Sequence, residues 1–232
     1  MLRIISFLII NSLSFNVLAA SVSTLYVDDA ASHSERAFEV KNTSDVVEYI
    51  TLSVERRLNK QNGKFTTQPM TDLAQQEVLV SPAYFVLAPN SRQTVRITPL
   101  LEKGEQERLY YIAVNPKLPP TTSEQPQAAL RMISAYKVLY LVRPKNPIIN
   151  YSLNVIDTRL QLNNQGNTSV LLHRIYACPA KDSARKLCSQ LQGERVMAGE
   201  VFTFDPLTTA AKGYWIEMQL AGQLKQEWVA IP

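Results

Sequence analysis

The stretch VSPAYFVLAPNSRQTVRIT, residues 80–98, gives the clearest indication of the fold class of this chain. It contains two short runs, Tyr84–Leu87 and Thr94–Ile97, that are rich in aromatic and β-branched residues. The segment Ala88–Ser91 lies between them and contains proline and asparagine, which favour turns. Runs of this kind on either side of a turn predict neighbouring antiparallel β-strands.

The same pattern of strand and turn continues along most of the chain. The segment Leu130–Val142 is unusually long for one strand and contains neither proline nor glycine. Few windows show a helical period, so we predict an all-β chain built from antiparallel sandwiches. The other predicted strands are residues 37–40, 47–55, 78–80, 109–114, 152–156, 158–162, 170–177, 201–204, 214–220 and 226–231.

The length predicts two domains. The chain has 232 residues, of which 46% are hydrophobic, and this fits two domains of about 100 residues each. Arg143-Pro144-Lys145-Asn146-Pro147 ends the long predicted strand, because proline restricts both itself and the residue before it. We therefore predict a first domain at 20–143 and a second at 144–232.

Residues 1–19 have the pattern of a secretory signal peptide. Arg3 precedes an interrupted apolar run, and Val17-Leu18-Ala19 fits the small-residue rule before a cleavage site. An uncleaved membrane anchor is the alternative, but the run is short and broken by polar residues. No later stretch approaches the ~20 apolar residues of a spanning helix. We expect an exported mature protein without a membrane anchor.

The two cysteines, Cys178 and Cys188, agree with an oxidising compartment. Export and an even count favour one disulfide that closes a short loop. A metal site is the weaker alternative, because no histidine pair lies near enough in sequence to complete a tetrahedral set. The net charge of +4 is mild and does not indicate a nucleic-acid-binding protein.

Catalytic motifs are not found in the sequence. The two histidines, His33 and His173, lie in different halves and belong to no nucleophile motif. No phosphate-binding loop, dinucleotide fingerprint or zinc signature occurs. We expect a protein that is not an enzyme and that needs neither a cofactor nor a metal. A β-sandwich hydrolase with a carboxylate pair is a minor alternative.

In the order and spacing of these segments the chain resembles a known family, the periplasmic chaperones of the chaperone–usher pathway. Residues 80–98 are similar to a characteristic segment of that family's first domain, and residues 107–120 to the strand and diproline that follow it. The long strand ending at Arg143-Pro144, the Asn163–Asn167 turn and the cysteine pair also fit. A short strand led by tyrosine, the cysteine pair and the apolar end Val229–Pro232 resemble the alternate branch, which serves colonisation-factor and common pili.

The resemblance implies two immunoglobulin-like sandwiches in an L or boomerang arrangement and a function in the periplasm. Such a chaperone binds, folds and caps pilus subunits by donating a β-strand, and delivers them to an outer-membrane usher. A subunit that lacks a strand exposes unpaired edge groups, and an added strand satisfies them. The alternative is an exported pilus subunit or adhesin, which should have one incomplete sandwich and an N-terminal donor arm.

The resemblance also assigns residues at the domain junction. Arg143 and Glu107 match an ion pair near the hinge. In the family, an arginine and a lysine form the anchor, meaning the basic side chains that bind the subunit's C-terminal carboxylate. Those two positions fall near Tyr26 and on Leu139, and neither is basic. Lys137 is the best substitute, and an ordinary solvated lysine is the equal alternative.

The donor strand implied by the resemblance consists of Leu130, Met132, Ser134 and Tyr136. These side chains share one face, because side chains alternate with period two along a strand. We expect Leu130, Met132 and Tyr136 to make most of the contact with the subunit. The alternative is that Leu130 and Met132 belong only to this chain's own core.

Overall fold

The computed structural model describes residues 20–29, 36–58, 65–117, 133–156, 159–204, 211–220 and 222–231. The predicted signal peptide lies outside these ranges. The described residues form β-strands and two short 3-10 turns, with no α-helix among them. The strands are β1 Ala20–Val22, β2 Tyr26–Asp28, β3 Ala37–Asn42, β4 Glu48–Arg57, β5 Thr67–Pro69, β6 Val78–Ser81, β7 Tyr84–Leu87, β8 Arg92–Pro99, β9 Arg108–Lys117, β10 Tyr136–Val142, β11 Tyr151–Ile156, β12 Arg159–Asn164, β13 Val170–Cys178, β14 Ser189–Leu191, β15 Arg195–Val196, β16 Val201–Phe204, β17 Gly213–Leu220 and β18 Gln223–Ala230.

The first ten strands form two sheets. One has the order β1-β3-β8-β6, and the other has the order β2-β10-β9-β4-β5, with β7 also paired to β4. Strand β10 pairs antiparallel with β9 on one side and parallel with β2 on the other. The β2–β10 pairing covers only Leu139–Leu141 of β10. This arrangement places β10 between a long partner and a short one.

Alternating side chains build the core of the first half. On β4, Ile50, Leu52 and Val54 are buried, while the residues between them are more exposed, as period-two geometry requires. Tyr110 on β9 and Tyr140 on β10 are also buried, and their ring centroids lie 6.1 Å apart. These residues belong to one continuous cluster made by both sheets.

The remaining strands form a second pair of sheets with its own core. Their orders are β11-β12-β16 and β14-β13-β17-β18, and β15 also pairs with β13. Both sheets contribute buried side chains to a cluster separate from the first. Its fully buried members include Leu160, Leu162, Leu172, Ile175, Tyr214, Ile216 and Met218.

The prediction of an all-β chain is confirmed, but the prediction of one long strand over Leu130–Val142 is wrong in its described part. Strand β10 begins at Tyr136, and residues 133–135 lie outside any strand. Strand β10 begins at Tyr136 because its pairing with β9 begins there, opposite Val114, and continues only toward Val142. The angle between the two halves stays a prediction.

Each half contains a buried asparagine at a strand end that holds the following turn. Asn42 Nδ2 donates to Val46 O (2.7 Å) and Oδ1 accepts from Ser44 N (2.8 Å). Asn164 Nδ2 donates to Thr168 O (2.9 Å) and Val196 O (3.0 Å), and Oδ1 accepts from Gly166 N (3.1 Å). Asparagine suits this place because its amide can both donate to and accept from the backbone.

Replacing Asn164 with alanine should lower the free energy of unfolding of the second half by about 2 kcal/mol, because buried backbone groups lose their partners. Both tryptophans of the chain, Trp215 and Trp228, lie in that half. Urea unfolding followed by tryptophan fluorescence therefore reports on it directly. Asn42→Ala is the matched change in the first half and should shift this transition less. An equal shift for both variants would contradict the prediction.

Candidate functional site

Arg143 lies at the centre of the junction between the two halves. Its side chain is 5% exposed and contacts two acidic residues of the first half. Nη2 lies 2.9 Å from Asp28 Oδ2, and Nη1 lies 3.0 Å from Glu107 Oε2. Nη1 also donates to Thr168 Oγ1 at 2.8 Å. The structure thus brings together the two residues that the family resemblance paired, and adds Asp28 and Thr168.

Glu107 connects the first half to the second. Its Oε2 accepts from Thr168 Oγ1 at 2.6 Å and from Ser169 N at 3.0 Å. Its side chain is 1% exposed. A buried carboxylate requires charge and hydrogen-bond partners, and here Arg143 comes from one half and the other two donors come from the loop after Asn164. The bonds therefore hold that loop against the first half.

Asn167 strengthens the same contact. Its Nδ2 donates to Glu105 O at 2.8 Å and to Asn146 O at 2.9 Å, and its Oδ1 accepts from Ile148 N at 2.6 Å. The loop of the second half thus binds both the approach to β9 and the segment between β10 and β11.

The side chain of Arg143 keeps its positive charge in spite of its burial. Burial by itself lowers the pKa of Arg143, but the hydrogen bonds to Asp28 and the charges of Glu107 and Asp28 raise it further than burial lowers it. The guanidinium therefore stays charged throughout the physiological range, and the junction is not a pH switch through Arg143.

Arg195 of β15 contacts the first half through the ring of Tyr26. Its Nη1 donates to Ser169 Oγ at 2.8 Å, and its guanidinium lies 4.8 Å from the centroid of the Tyr26 ring. Tyr26 OH donates to Asp28 Oδ2 at 2.6 Å. Burial, partly offset by the charge of Arg195, raises the pKa of Tyr26 to about 12. The tyrosine therefore remains a neutral donor to Asp28.

Apolar side chains complete the junction. Leu109 and Leu141 are buried in one cluster with Met197, which lies in the second half, and Leu139 packs against it. A further ion pair crosses nearby, with Arg57 Nη2 3.7 Å from Glu200 Oε1 and both side chains less than a tenth exposed. The junction therefore combines apolar burial with several charged contacts.

The two positions that the resemblance matches to the family's basic residues are adjacent in space. Tyr26 and Leu139 are direct neighbours in the β2–β10 register, and Leu139 is opposite Tyr111 of β9. At these two positions the junction has an aromatic and an aliphatic side chain.

Lys137, the substitute expected from the sequence, already has an acidic partner. Its Nζ lies 2.8 Å from Glu55 Oε2, and the lysine side chain is 53% exposed. The hydrogen bond from Lys137 lowers the pKa of Glu55. Sequence reasoning missed this pair because the two residues are 82 positions apart and come together only through the pairing of β9 with both β4 and β10.

The predicted donor residues fall partly within the described chain. Leu130 and Met132 lie outside it. Ser134 and Tyr136 are half-buried, and Tyr136 packs against the core of the first half. Ile133, with the opposite parity, is 52% exposed. Around the start of β10, the even-numbered residues Ser134 and Tyr136 are therefore more buried than the odd-numbered residues beside them.

Cys178 and Cys188 form the disulfide that the sequence predicted, and this prediction is confirmed. The bond joins the end of β13 to the residue before β14. It closes the short loop between two paired strands.

Comparison with known proteins gives the class. The family of pili and flagellar-assembly chaperones, in the form of the PapD N-terminal domain, matches residues 20–147, and the chain belongs to this family. Its role is that of a pilus-assembly chaperone and not of an enzyme. No curated protein matches the chain.

Solved structures show the same fold at low sequence identity. The chaperone DraB of E. coli is 16% identical, with a TM-score of 0.59 over 92% of this chain and 98% of DraB. The class 5 fimbriae chaperone CfaA is 14% identical, with a TM-score of 0.59 over 92% and 99%. A chain of the Salmonella enterica complex between the SafA pilin and the SafB chaperone is 13% identical, with a TM-score of 0.60 over 93% and 98%. The two immunoglobulin-like sandwiches are confirmed by this likeness.

Among the described residues, no helix is long and apolar enough to cross a membrane. Within the same ranges, no group of three or more histidine, cysteine or acidic side chains is placed to hold a metal ion.

Proposed function

We propose that this protein is a periplasmic chaperone that captures pilus subunits by donating the strand around the start of β10, and delivers them to an outer-membrane usher. One observation carries the proposal. In the described chain, no strand pairs with the β2 side of β10 before Leu139. Tyr136–Val138 therefore has a partner on one side only, and an incomplete sandwich can add its own strand on the other.

Two complete cores support a chaperone over a pilus subunit or adhesin. Each half has its own buried cluster drawn from two sheets. A subunit that depends on a donated strand would leave one of these clusters open. We place the domain boundary between residues 143 and 144, in the segment that separates the end of β10 from the start of β11.

Co-expression with a cognate pilin tests the function. The subunit should accumulate in the periplasm and co-purify with the chaperone in an equimolar complex. Accumulation of the same subunit without the chaperone, or its failure to co-purify, would contradict the proposal. The branch of the family to which the chain belongs stays a prediction, and a panel of pilins from different branches addresses it.

We propose Lys137 as the anchor for the subunit's C-terminal carboxylate. In the free protein, Glu55 forms an ion pair with the Lys137 ammonium. An incoming carboxylate therefore has to displace Glu55 or share the ammonium with it. An exposed pair of this kind contributes under about 1 kcal/mol to stability, which makes the exchange inexpensive in free energy.

Lys137→Ala should therefore abolish capture of the subunit, whereas Glu55→Gln should increase affinity several-fold, because it frees the ammonium and keeps the shape of the side chain. Both variants can be compared by the yield of co-purified subunit at equal chaperone level. Equal losses in the two variants would assign the pair a structural role. Wild-type yield with Lys137→Ala would remove Lys137 from the site.

A further inference from the structure

The outer face of the second half carries an aromatic row that the proposed function does not use. Tyr176 on β13, Trp215 on β17 and Trp228 on β18 are direct neighbours in the sheet register. The two indole ring centroids lie 5.6 Å apart. Gly213 makes room for this row, because a Cβ at that position would lie 2.3 Å from the ring of Trp228.

Arg185 lies on top of this row. Its guanidinium carbon is 4.8 Å from the centroid of the Tyr176 ring and 5.0 Å from that of the Trp215 ring. The residue is exposed, and no carboxylate of the described chain forms an ion pair with it. A planar guanidinium that stacks through its faces keeps its edge N–H groups available to donate to both oxygens of a carboxylate.

The loop that carries Arg185 is held in place from two sides. The disulfide between Cys178 and Cys188 closes it, and Trp215 Nε1 donates to Lys181 O at 2.8 Å. Such preorganisation lowers the entropy cost of binding a ligand. A side chain on an ordinary surface loop would not be positioned in this way.

The charge of this surface favours an acidic ligand. The loop contains Lys181, Arg185 and Lys186 against Asp182 alone, which leaves it with an excess of positive charge. The nearest acidic residue on the sheet face, Glu217, is 8% exposed and engaged by Arg174 and Gln226. The aromatic row supplies apolar surface on either side of the cation.

We propose that this basic–aromatic surface binds an acidic segment of a partner protein, in which a carboxylate is flanked by apolar side chains. The carboxylate binds the edge of Arg185, and the flanking side chains pack on Trp228 and on Leu187, which is 64% exposed. Three neighbouring strands span about 10 Å, the length of roughly three extended residues. The surface is separate from the open edge of β10, so binding here does not depend on subunit capture.

The tryptophans make the test direct, because the only two in the chain both belong to this surface. The probe is a tryptophan-free, end-capped peptide of sequence Val-Pro-Asp-Glu-Pro-Val, titrated at low ionic strength while tryptophan emission is recorded. We expect a saturable change in emission. The neutral peptide, with asparagine and glutamine in place of the two acids, should produce none.

Arg185→Gln should weaken the peptide's affinity about tenfold, because one charge-assisted pair is lost. Arg92→Gln is the matched control: it removes the same charge from the first half, where the Arg92 side chain is 72% exposed, and it should leave affinity unchanged. Equal affinity of the two variants, or an equal response to the neutral peptide, would overturn the proposal. So would a response to anionic phospholipid vesicles without a response to the peptide, since that would assign the surface to a membrane.

Discussion

Met132→Asp should leave the chaperone folded and reduce the yield of captured subunit at least tenfold. In the proposed register, Met132 enters the groove of the subunit together with Leu130 and Tyr136. A fully buried apolar side chain of this size contributes roughly 1.5–3 kcal/mol. A carboxylate in the same place must lose its hydration without gaining a partner, which costs still more. Co-expression with the subunit and quantification of the purified complex measure the effect.

Two control variants separate the register from general damage. Met132→Leu conserves volume and should keep capture near the wild-type level. Ile133→Asp places the same charge on the opposite face, where the side chain is 52% exposed, and should also be tolerated. A slip of one residue exchanges the two faces of a strand. Loss of capture with Ile133→Asp and normal capture with Met132→Asp would therefore show that the donor register is off by one.

Arg143→Ala should lower the free energy of unfolding by about 3–5 kcal/mol, because it leaves the Glu107 carboxylate buried without its cation. The Glu107 side chain is only 1% exposed, so water cannot replace the lost partner without rearrangement of the junction. Thermal unfolding measures the loss of stability. Small-angle X-ray scattering measures the accompanying change in the arrangement of the two halves.

A second substitution distinguishes charge from packing. Glu107→Gln in the Arg143→Ala background should restore part of the lost stability, because it removes the uncompensated charge while keeping an acceptor for Thr168 and Ser169. Arg143→Lys should be intermediate, since an ammonium cannot contact Asp28 and Glu107 with the same fork geometry. Unchanged stability and scattering for Arg143→Ala would remove this residue from any role at the junction.

Local patterns in the sequence predicted most of the fold. Alternation of side chains identified β4 and β16, because in each strand every second side chain is the more buried one and this pattern is visible within a few residues. Strands β1, β2 and β5 have only three residues each, which is too short for a period to be seen. Their positions depend on partners far along the chain, and the family resemblance indicated one of them, the tyrosine-led β2.

The residues of the junction were predicted only in part, because most of their partners are also distant in sequence. The resemblance supplied Arg143 and Glu107, and the structure places them in contact. Asp28, Thr168 and Arg195 gave no signal, because a single polar residue in a short strand or loop does not reveal which surface it faces. The partner of Lys137 was missed because Glu55 lies two strands away in the same sheet.

Strand β10 is held firmly at its Val142 end, whereas at its Tyr136 end it pairs on one side only. This difference determines how the strand responds to force. Arg143 follows its last residue and ties that end to Asp28 and Glu107. A pull along the strand loads all seven register pairs with β9 together, as in shear. A pull at right angles from Tyr136 loads them one after another, as in peeling. The free protein therefore resists tension along β10 far more than detachment of β10 from its Tyr136 end.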